Sequence, residues 1–448
     1  MDSPLFDKGP PQEPPPSSVK STGGRPRLRV PQRDQVEMRY LSLDQLLDPN
    51  HPVRTVWAFV YGLDLSRWLD RVRAVEGNVG RDATDPRMLM ALWVYATLEA
   101  VGSARELTRL SREDLPYQWI CGGVTVNYHL LSDFRSQNGE AWDELLTQIV
   151  ASLSAEGLVT MKRVAQDGMR VRADAGKSSF HRKATLEECL KEAREQVDAL
   201  KRLVDEAPSD LSKQQQAAQE RAAEELAART EAALKHCEEL QEQREKNSQK
   251  SCLPAKEARA STTDPEARNM KFADGGYRPG YNVQFVTDVG SGVIVDAAVV
   301  NAGNDFEQAP PRLDAMQHRY GVVPEELLID GGFASKDTIE HGAARGIVIY
   351  APLKFEAKQR AAGKDPHARK RLDSQAMADW RARMATDKAK EVYGLRGQTA
   401  EWVNAQARNR GFWRMPVRGL KKGGIIARLF AIVHNIVTAI RLRTAATP

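Results

Sequence analysis

Apolar positions in this chain change period twice, and the changes divide it. From about residue 40 to 157 they recur at helical spacing. Asp85-Pro86 supplies an N-cap and a proline at the first helical position ahead of the apolar stretch Met88 to Ala100. Ser103 and Glu106 form a capping box opening SARELTRL. Further helices are predicted over Asn127 to Arg135 and Ala141 to Leu153. Trp57, Trp68, Trp93, Trp119 and Trp142 are spread through this stretch, so residues 36–157 read as an all-α domain with a tryptophan-rich core. Stacking of those rings on bases is the less economical reading. Arg105, Arg109 and Arg112 lie where they would meet either phosphate or solvent.

From about residue 158 the period becomes two. Met169, Val171 and Ala173 alternate with Arg170, Arg172 and Asp174, and VAQD followed by GMRVRAD reads as a hairpin. Residues 184–250 return to a helical seam. Leu186, Leu190, Ala193, Val197, Leu200 and Val204, then Ala223, Leu226, Thr230, Ala233, Cys237 and Leu240, alternate steps of three and four around Pro208-Ser209-Asp210. An antiparallel coiled-coil hairpin inserted into the following domain fits this pattern; its alternative is a dimerisation arm. Strands resume with Tyr281, Val283 and Phe285, a Gly290-Ser291-Gly292 turn, and Val293 to Val300. Then come a helix (Phe306 to Tyr320), a strand ending at Asp330, a helix (Ser335 to Arg345) and a strand (Ile347 to Tyr350). Without the insertion the order is β-β-β-α-β-α-β-α, that of an RNase H-like mixed sheet. Residues 158–448 are therefore expected to form an α/β (α+β) domain of that kind.

Such a sheet carries acids on its first strand, its fourth strand and a late helix, the places taken by Asp167, Asp330 and Glu401. Brought together they would make a hard, oxygen-rich site for Mg²⁺ or Mn²⁺. Two such ions, roughly 3.5 to 4 Å apart, clamp a phosphodiester from both sides. Taken singly, each acid has a plainer reading: Asp167 in a turn before Gly168, Asp330 capping a turn at Gly331-Gly332, Glu401 simply solvated. Arg408, seven residues after Glu401, shares its helical face. It would hold phosphate there, or form a spaced ion pair bridged by Asn404 or solvent.

Composition adds a polyanionic partner. The 448 residues are 41% hydrophobic and 28% charged, with a net charge of +5. The basic residues cluster at Arg25–Arg33, Lys354–Arg383 and Arg408–Arg428. Residues 1–35 read as a proline-rich, basic, disordered arm, in which Gly24-Arg25-Pro26-Arg27 would suit a minor groove. The four cysteines show no metal-like spacing and suit a reducing compartment. No secretory signal and no apolar run near the roughly 18 residues of a membrane span were apparent. A cytoplasmic, nucleoid-associated protein with no membrane contact and no small-molecule substrate is expected.

The segments HPVRTVWAFV, GSARELTRL, VNYHLLSDFR, VAQDGMRVRAD, TDPEARNMK, DGGYRPGYNVQ, LLIDGGF, AEWVNAQARNRG, VRGL and HNI carry a resemblance over nearly the whole chain. It resembles a DDE-type transposase of bacterial insertion sequences. The resemblance implies a helical DNA-binding domain and an RNase H-like catalytic domain. It makes Asp167, Asp330 and Glu401 the catalytic, metal-binding acids that cleave element ends and transfer strands. Tyr393, Arg396 and Glu401 look like the family's tyrosine-arginine-glutamate signature, contacting DNA phosphate together with Arg408. In this chain four residues separate Arg396 from Glu401 where three are commonest, and Arg408 stands where lysine is frequent. Asp264 and Arg268 are further candidates to assist. The expected partner is double-stranded DNA, both element ends and target, and the expected assembly a homodimer. Two rival readings are a transposase-derived DNA-binding protein that no longer cuts, and an assembly protein working through the coiled coil.

Overall fold

A computed structural model describes residue 36 and residues 40–72, 74–75, 82–206, 213–251, 254 and 256–446. The basic arm with Arg25 and Arg27, and the turn at Pro208, lie outside the described residues. Residues from Leu43 onward form one unit.

The main sheet is built around β1 (Arg163–Arg172). It is followed in the chain by the two-residue strands β2 (Phe180–His181) and β3 (Ala260–Ser261), then β4 (Arg268–Lys271), β5 (Tyr277–Asp288) and β6 (Ile294–Val300). Two short strands complete it, β7 (Glu326–Leu328) and β8 (Val348–Tyr350). β5 pairs antiparallel with β1 on one edge; on its other edge it takes β4 along its first half and β6 along its second. On the far side of β1, β7 and β8 are added parallel. The order β6-β5-β1-β7-β8, with β5 alone reversed, is an RNase H-like sheet. Parallel strands covered on both faces need continuous apolar runs. Leu327, Leu328 and Ile349 are accordingly buried.

Two expectations change here. VAQD and GMRVRAD are one uninterrupted strand, paired with β5 from Val164 through Arg172, so there is no hairpin at Asp167. Gly168 is present for close approach: a Cβ there would lie 2.0 Å from Asp305 Oδ1 and 2.6 Å from Gln284 Nε2. β4, and the β2–β3 pair from which the two long helices spring, were not anticipated.

Those helices, Lys183–Glu206 and Lys213–Ser251, run antiparallel. Lys183 pairs with Glu238, Arg194 with Glu231 and Lys201 with Glu224. Leu186, Ala233, Cys237 and Leu240 are buried between them, near Ala258 and Ala260 at their base. Salt bridges this exposed add little, so the narrow alanine-rich seam carries the packing.

The N-terminal helices begin at recognisable caps. The His51 side chain accepts from Val53 N–H before helix Pro52–Tyr61, and that of Asp85 from Arg87 N–H before Pro86–Leu98. Asn127 caps Tyr128–Gln137 through Leu130 N–H. Ser103 accepts from Glu106 N–H, but the Glu106 carboxylate turns to Arg109, so only half of the expected box forms. Arg109 is held by Glu106 and Glu113 and is not free for phosphate. Trp93 and Trp142 are fully buried and Trp68 nearly so, confirming these rings as core.

The helix Leu420–Ala446 is long and apolar enough by length and composition to cross a membrane, contrary to the sequence reading. Two-thirds of that window is buried, and its polar groups bind the sheet. Asn435 accepts from Ile294 N–H and donates to Ile294 C=O, both at 2.8 Å, while His434 Nε2 lies 2.9 Å from Gly292 C=O. It is a core helix, and these three bonds explain why His434 and Asn435 interrupt its apolar run.

Candidate active site

β1 and β7 pair in parallel with Ala165 opposite Leu328. Continuing that register by two residues sets Asp167 level with Asp330, on neighbouring strands spaced about 4.8 Å apart. An even offset also keeps both side chains on one face. Past the end of β7, Asp330 Oδ1 accepts from Gly332 N–H at 2.6 Å and Phe333 N–H at 3.2 Å. The sequence expectation of a turn cap is therefore correct for Asp330, and it fixes the carboxyl at the strand end rather than removing it from the site.

Glu401 arrives from the other direction. The Thr386 hydroxyl caps helix Asp387–Arg396 through Ala389 N–H. The chain then winds through a π-helical turn, Gly397–Glu401, into helix Trp402–Asn409. In a regular α-helix a five-residue step would leave Glu401 about 140° around from Arg396. A π-turn absorbs one extra residue and returns the fifth to the starting face. Arg396 Nη1 consequently reaches Glu401 Oε1 at 2.7 Å, and its Nη2 reaches Asp167 Oδ1 at 2.8 Å. The Thr399 hydroxyl bonds Leu395 C=O at 3.0 Å and Arg396 C=O at 3.3 Å, serving carbonyls in the widened turn. The four-residue spacer of the sequence is thus compensated by backbone geometry.

The electrostatics follow from burial. The Asp167 side chain is only 15% exposed. Burial pushes its carboxyl up to about 6; Arg396 opposes this, and Asp330 and Asp305 add to it. Burial works against the charged Arg396, yet Asp167, Tyr393, Asp330 and Glu401 outweigh it and hold its pKa above the ordinary value. Tyr393 is half-buried, and burial together with the three acids raises its phenol.

One participant was missed from sequence and another was given a different role. Asp305, in the loop after β6, accepts from Asn282 Nδ2 at 2.7 Å and Gln284 Nε2 at 2.8 Å and lies against Gly168. Its signal was an apolar strand running into Asn301-Ala-Gly-Asn-Asp305 at a sheet end. Asn404 donates to Asp167 Oδ2 at 2.9 Å, so it does not bridge Glu401 to Arg408. Arg408 is exposed, and no bond joins it to the acids. Asp264 is buried elsewhere, accepting from Tyr281 O–H at 2.6 Å and Gly419 N–H at 3.2 Å, and Arg268 bonds Gln243. These two brace the fold.

The donor set suits a hard cation. Asp167, Asp330 and Glu401 act on one guanidinium with Asp305 beside Asp167, and the acceptors Asn404 Oδ1 and Asn282 Oδ1 are buried without a partner. Among the described residues, however, no three acidic, histidine or cysteine side chains already converge as ligands. Arg396 bridges Asp167 and Glu401.

Two family models match the chain. One, described as a transposase domain (DUF772), covers residues 41–137, and the other, a transposase DDE domain, covers residues 250–432. Asp330 and Glu401 fall inside the second match, while Asp167 precedes it. No curated protein and no solved structure matches. Divalent metal is typical of the DDE family. Taken together, the matches span more than half of the sequence, and the chain belongs to the DDE-type transposases of the insertion-sequence kind.

Proposed function

We propose that this transposase binds the ends of its own element, cuts DNA there and joins the freed ends to a target, with Asp167, Asp330 and Glu401 holding Mg²⁺ or Mn²⁺. The observation that carries this reading is the Arg396 guanidinium spanning Asp167 and Glu401 beside a register that levels Asp167 with Asp330. Three acids separated by up to 234 positions in the chain all act on that guanidinium, which supports the reading. Cations held there would supply Lewis-acid stabilisation to the reacting phosphodiester. Asp167 and Asp330 offer carboxylate oxygens from fixed strand positions. Asn404 orients Asp167 through Oδ2. Arg396, released from part of its ion pairing, faces substrate phosphate with a planar fork, and the exposed Arg408 meets the backbone further along. Two element ends call for two copies, so a homodimer acting in the cytoplasm on nucleoid DNA completes the proposal.

The test is cleavage of DNA carrying the element's flanking ends, with Mg²⁺, by wild type and Asp330→Asn. Loss of a metal carboxylate removes several kcal/mol of transition-state stabilisation, so the variant is expected to be slower by roughly a thousandfold or more. Undiminished cleavage by Asp330→Asn would overturn the assignment. DNA retention without cleavage by the wild type, with any end or metal, would favour a DNA-binding derivative, whose motif is the Arg396 bridge already neutralising two acids.

A further inference from the structure

A cleft of about 580 Å³ lies between the N-terminal helices and residues 410–416, outside the acidic cluster. Its walls are aromatic. Trp413 is 55% exposed on one side, and Tyr128, also exposed, stands at the start of its helix on the other. The floor is apolar, formed by Leu429 and Phe430. A large exposed indole beside an apolar floor is unusual on a free surface.

Positive groups ring these surfaces. The Arg105 guanidinium lies 5.1 Å from the Tyr128 ring centre. Arg410 is half-buried, with Nη1 shut off from solvent and bonded to nothing, and burial lowers its pKa. The ten-residue helix Ala104–Glu113 opens its N-terminus into the cleft, where the N–H groups that Ser103 does not cap favour an anion. The one acid at the rim, Asp174, is neutralised by Arg414 and Arg418. The cleft floor is also held in an uncommon backbone: Ala100 (φ 61°) and Gly411 (φ 75°) abut, and a Cβ on Gly411 would meet Ala100 Cβ at 3.3 Å.

Rigid elements tie this cleft to the acids. Arg172, at the end of β1, donates N–H to Trp413 C=O at 3.0 Å and accepts from Met415 N–H at 2.8 Å. Asp167 is five residues back along that strand, roughly 16 Å at the usual rise. Helix Trp402–Asn409 runs from Glu401 to Arg410.

We propose that this cleft takes one unpaired nucleotide of the DNA strand being processed, its base stacked on Trp413 and its phosphate met by Arg105, Arg410 and the helix N-terminus. A base inside a duplex cannot reach the rings, so the occupant is extrahelical or single-stranded. The proposal rests on the reading of the chain as a DNA-processing enzyme and adds a site a few nucleotides from the reacting phosphate.

The experiment uses the full chain without metal and therefore reads binding, not cleavage. Affinities for an oligo(dT) single strand and for a duplex of equal length are compared in wild type, Trp413→Ala and Trp413→Phe. Base–aromatic stacking is worth about 1–3 kcal/mol. Trp413→Ala should weaken single-strand binding about tenfold and leave duplex binding unchanged, and Trp413→Phe should restore most of the loss. In the wild type, photo-cross-linking of oligo(dT) bearing 5-iododeoxyuridine should map to Trp413 or Tyr128, a readout independent of how the variants fold. Equal single-strand affinities with cross-links elsewhere would overturn the proposal, as would equal weakening for duplex and single strand. Failure of the Asp330→Asn cleavage test would sink the catalytic assignment without altering these binding results, so the two failures are distinguishable.

Discussion

The two halves of the candidate site are held in different ways. Asp167 sits on a strand bonded along both edges, and Asp330 is clamped at a strand end by backbone amides. Glu401 is 60% exposed, stands on a π-turn, and among the described residues its side chain is held by Arg396 alone. The sheet half is positioned by a hydrogen-bond ladder with few alternatives. The helical half is positioned by helix phase and one ion pair, which leaves it able to adjust when substrate or cation competes for Arg396. Fixed acids on a sheet and an adjustable acid on a helix give a site that is preorganised on one side only.

A way to break the sheet half without touching an acid is Gly168→Ala. The new methyl would start 2.0 Å from Asp305 Oδ1 and 2.8 Å from Asn282 Oδ1, so β1 or the Asp305 loop must shift. Overpacking of this kind costs about 1–3 kcal/mol, and displacing a reacting group by about 1 Å costs on the order of a hundredfold in rate. Thermal unfolding and end cleavage, measured together, should show both losses. Wild-type values for both would mean that the sheet half is as tolerant as the helical one.

That variant also marks what the sequence made legible. The succession of the longer strands and helices and the cap at Asp85 could be read, because periodicity and capping are local. The Asp167-Gly168 step was misread as a turn, since glycine serves turns and close approaches alike and only the tertiary neighbour Asp305 distinguishes them. Asp305 and Asn404 escaped for the same reason: Asp305 is held by Asn282 and Gln284 against Gly168, and Asn404 bonds Asp167, 237 positions away, contacts that no local pattern announces. The helix Leu420–Ala446 was overlooked as a long apolar run because Arg428, His434 and Asn435 punctuate it. The π-turn was invisible too, and the extra residue before Glu401 looked like a departure from pattern rather than an accommodated insertion.

A pH experiment separates the halves less drastically. In the metal-free protein the Asp167 carboxyl is raised from 3.8 to about 6, chiefly by burial. The folded state therefore binds this proton more tightly than the unfolded chain. The resulting stability is fully present below pH 3.8 and is lost as pH rises through about 6. Asp167→Asn should flatten that part of the pH–stability curve, by about 1–3 kcal/mol between its ends. Chemical denaturation across this pH range with a chelator present measures it. The same slope in wild type and Asp167→Asn would show that burial of the strand acid does not govern the apo site.

The smallest effect is expected where sequence pattern alone would forecast a large one. Deleting Gln398 shortens the Arg396–Glu401 spacer from four residues to three. If the π-turn is an accommodated insertion, the segment relaxes to regular α-helix. Arg396 and Glu401 then become i, i+4 neighbours on one face, and the flanking helices Asp387–Arg396 and Trp402–Asn409 keep their places. End cleavage should stay within about threefold of wild type, a barrier change below about 1 kcal/mol, with Tm unchanged or slightly raised. Deleting Val403 instead removes a residue from regular helix beyond the turn and swings Asn404 away from Asp167 by about 100°, so it should cost far more. If the two deletions were equally damaging, the π-turn would itself be required, and the helical half of the site would be as rigidly specified as the sheet half.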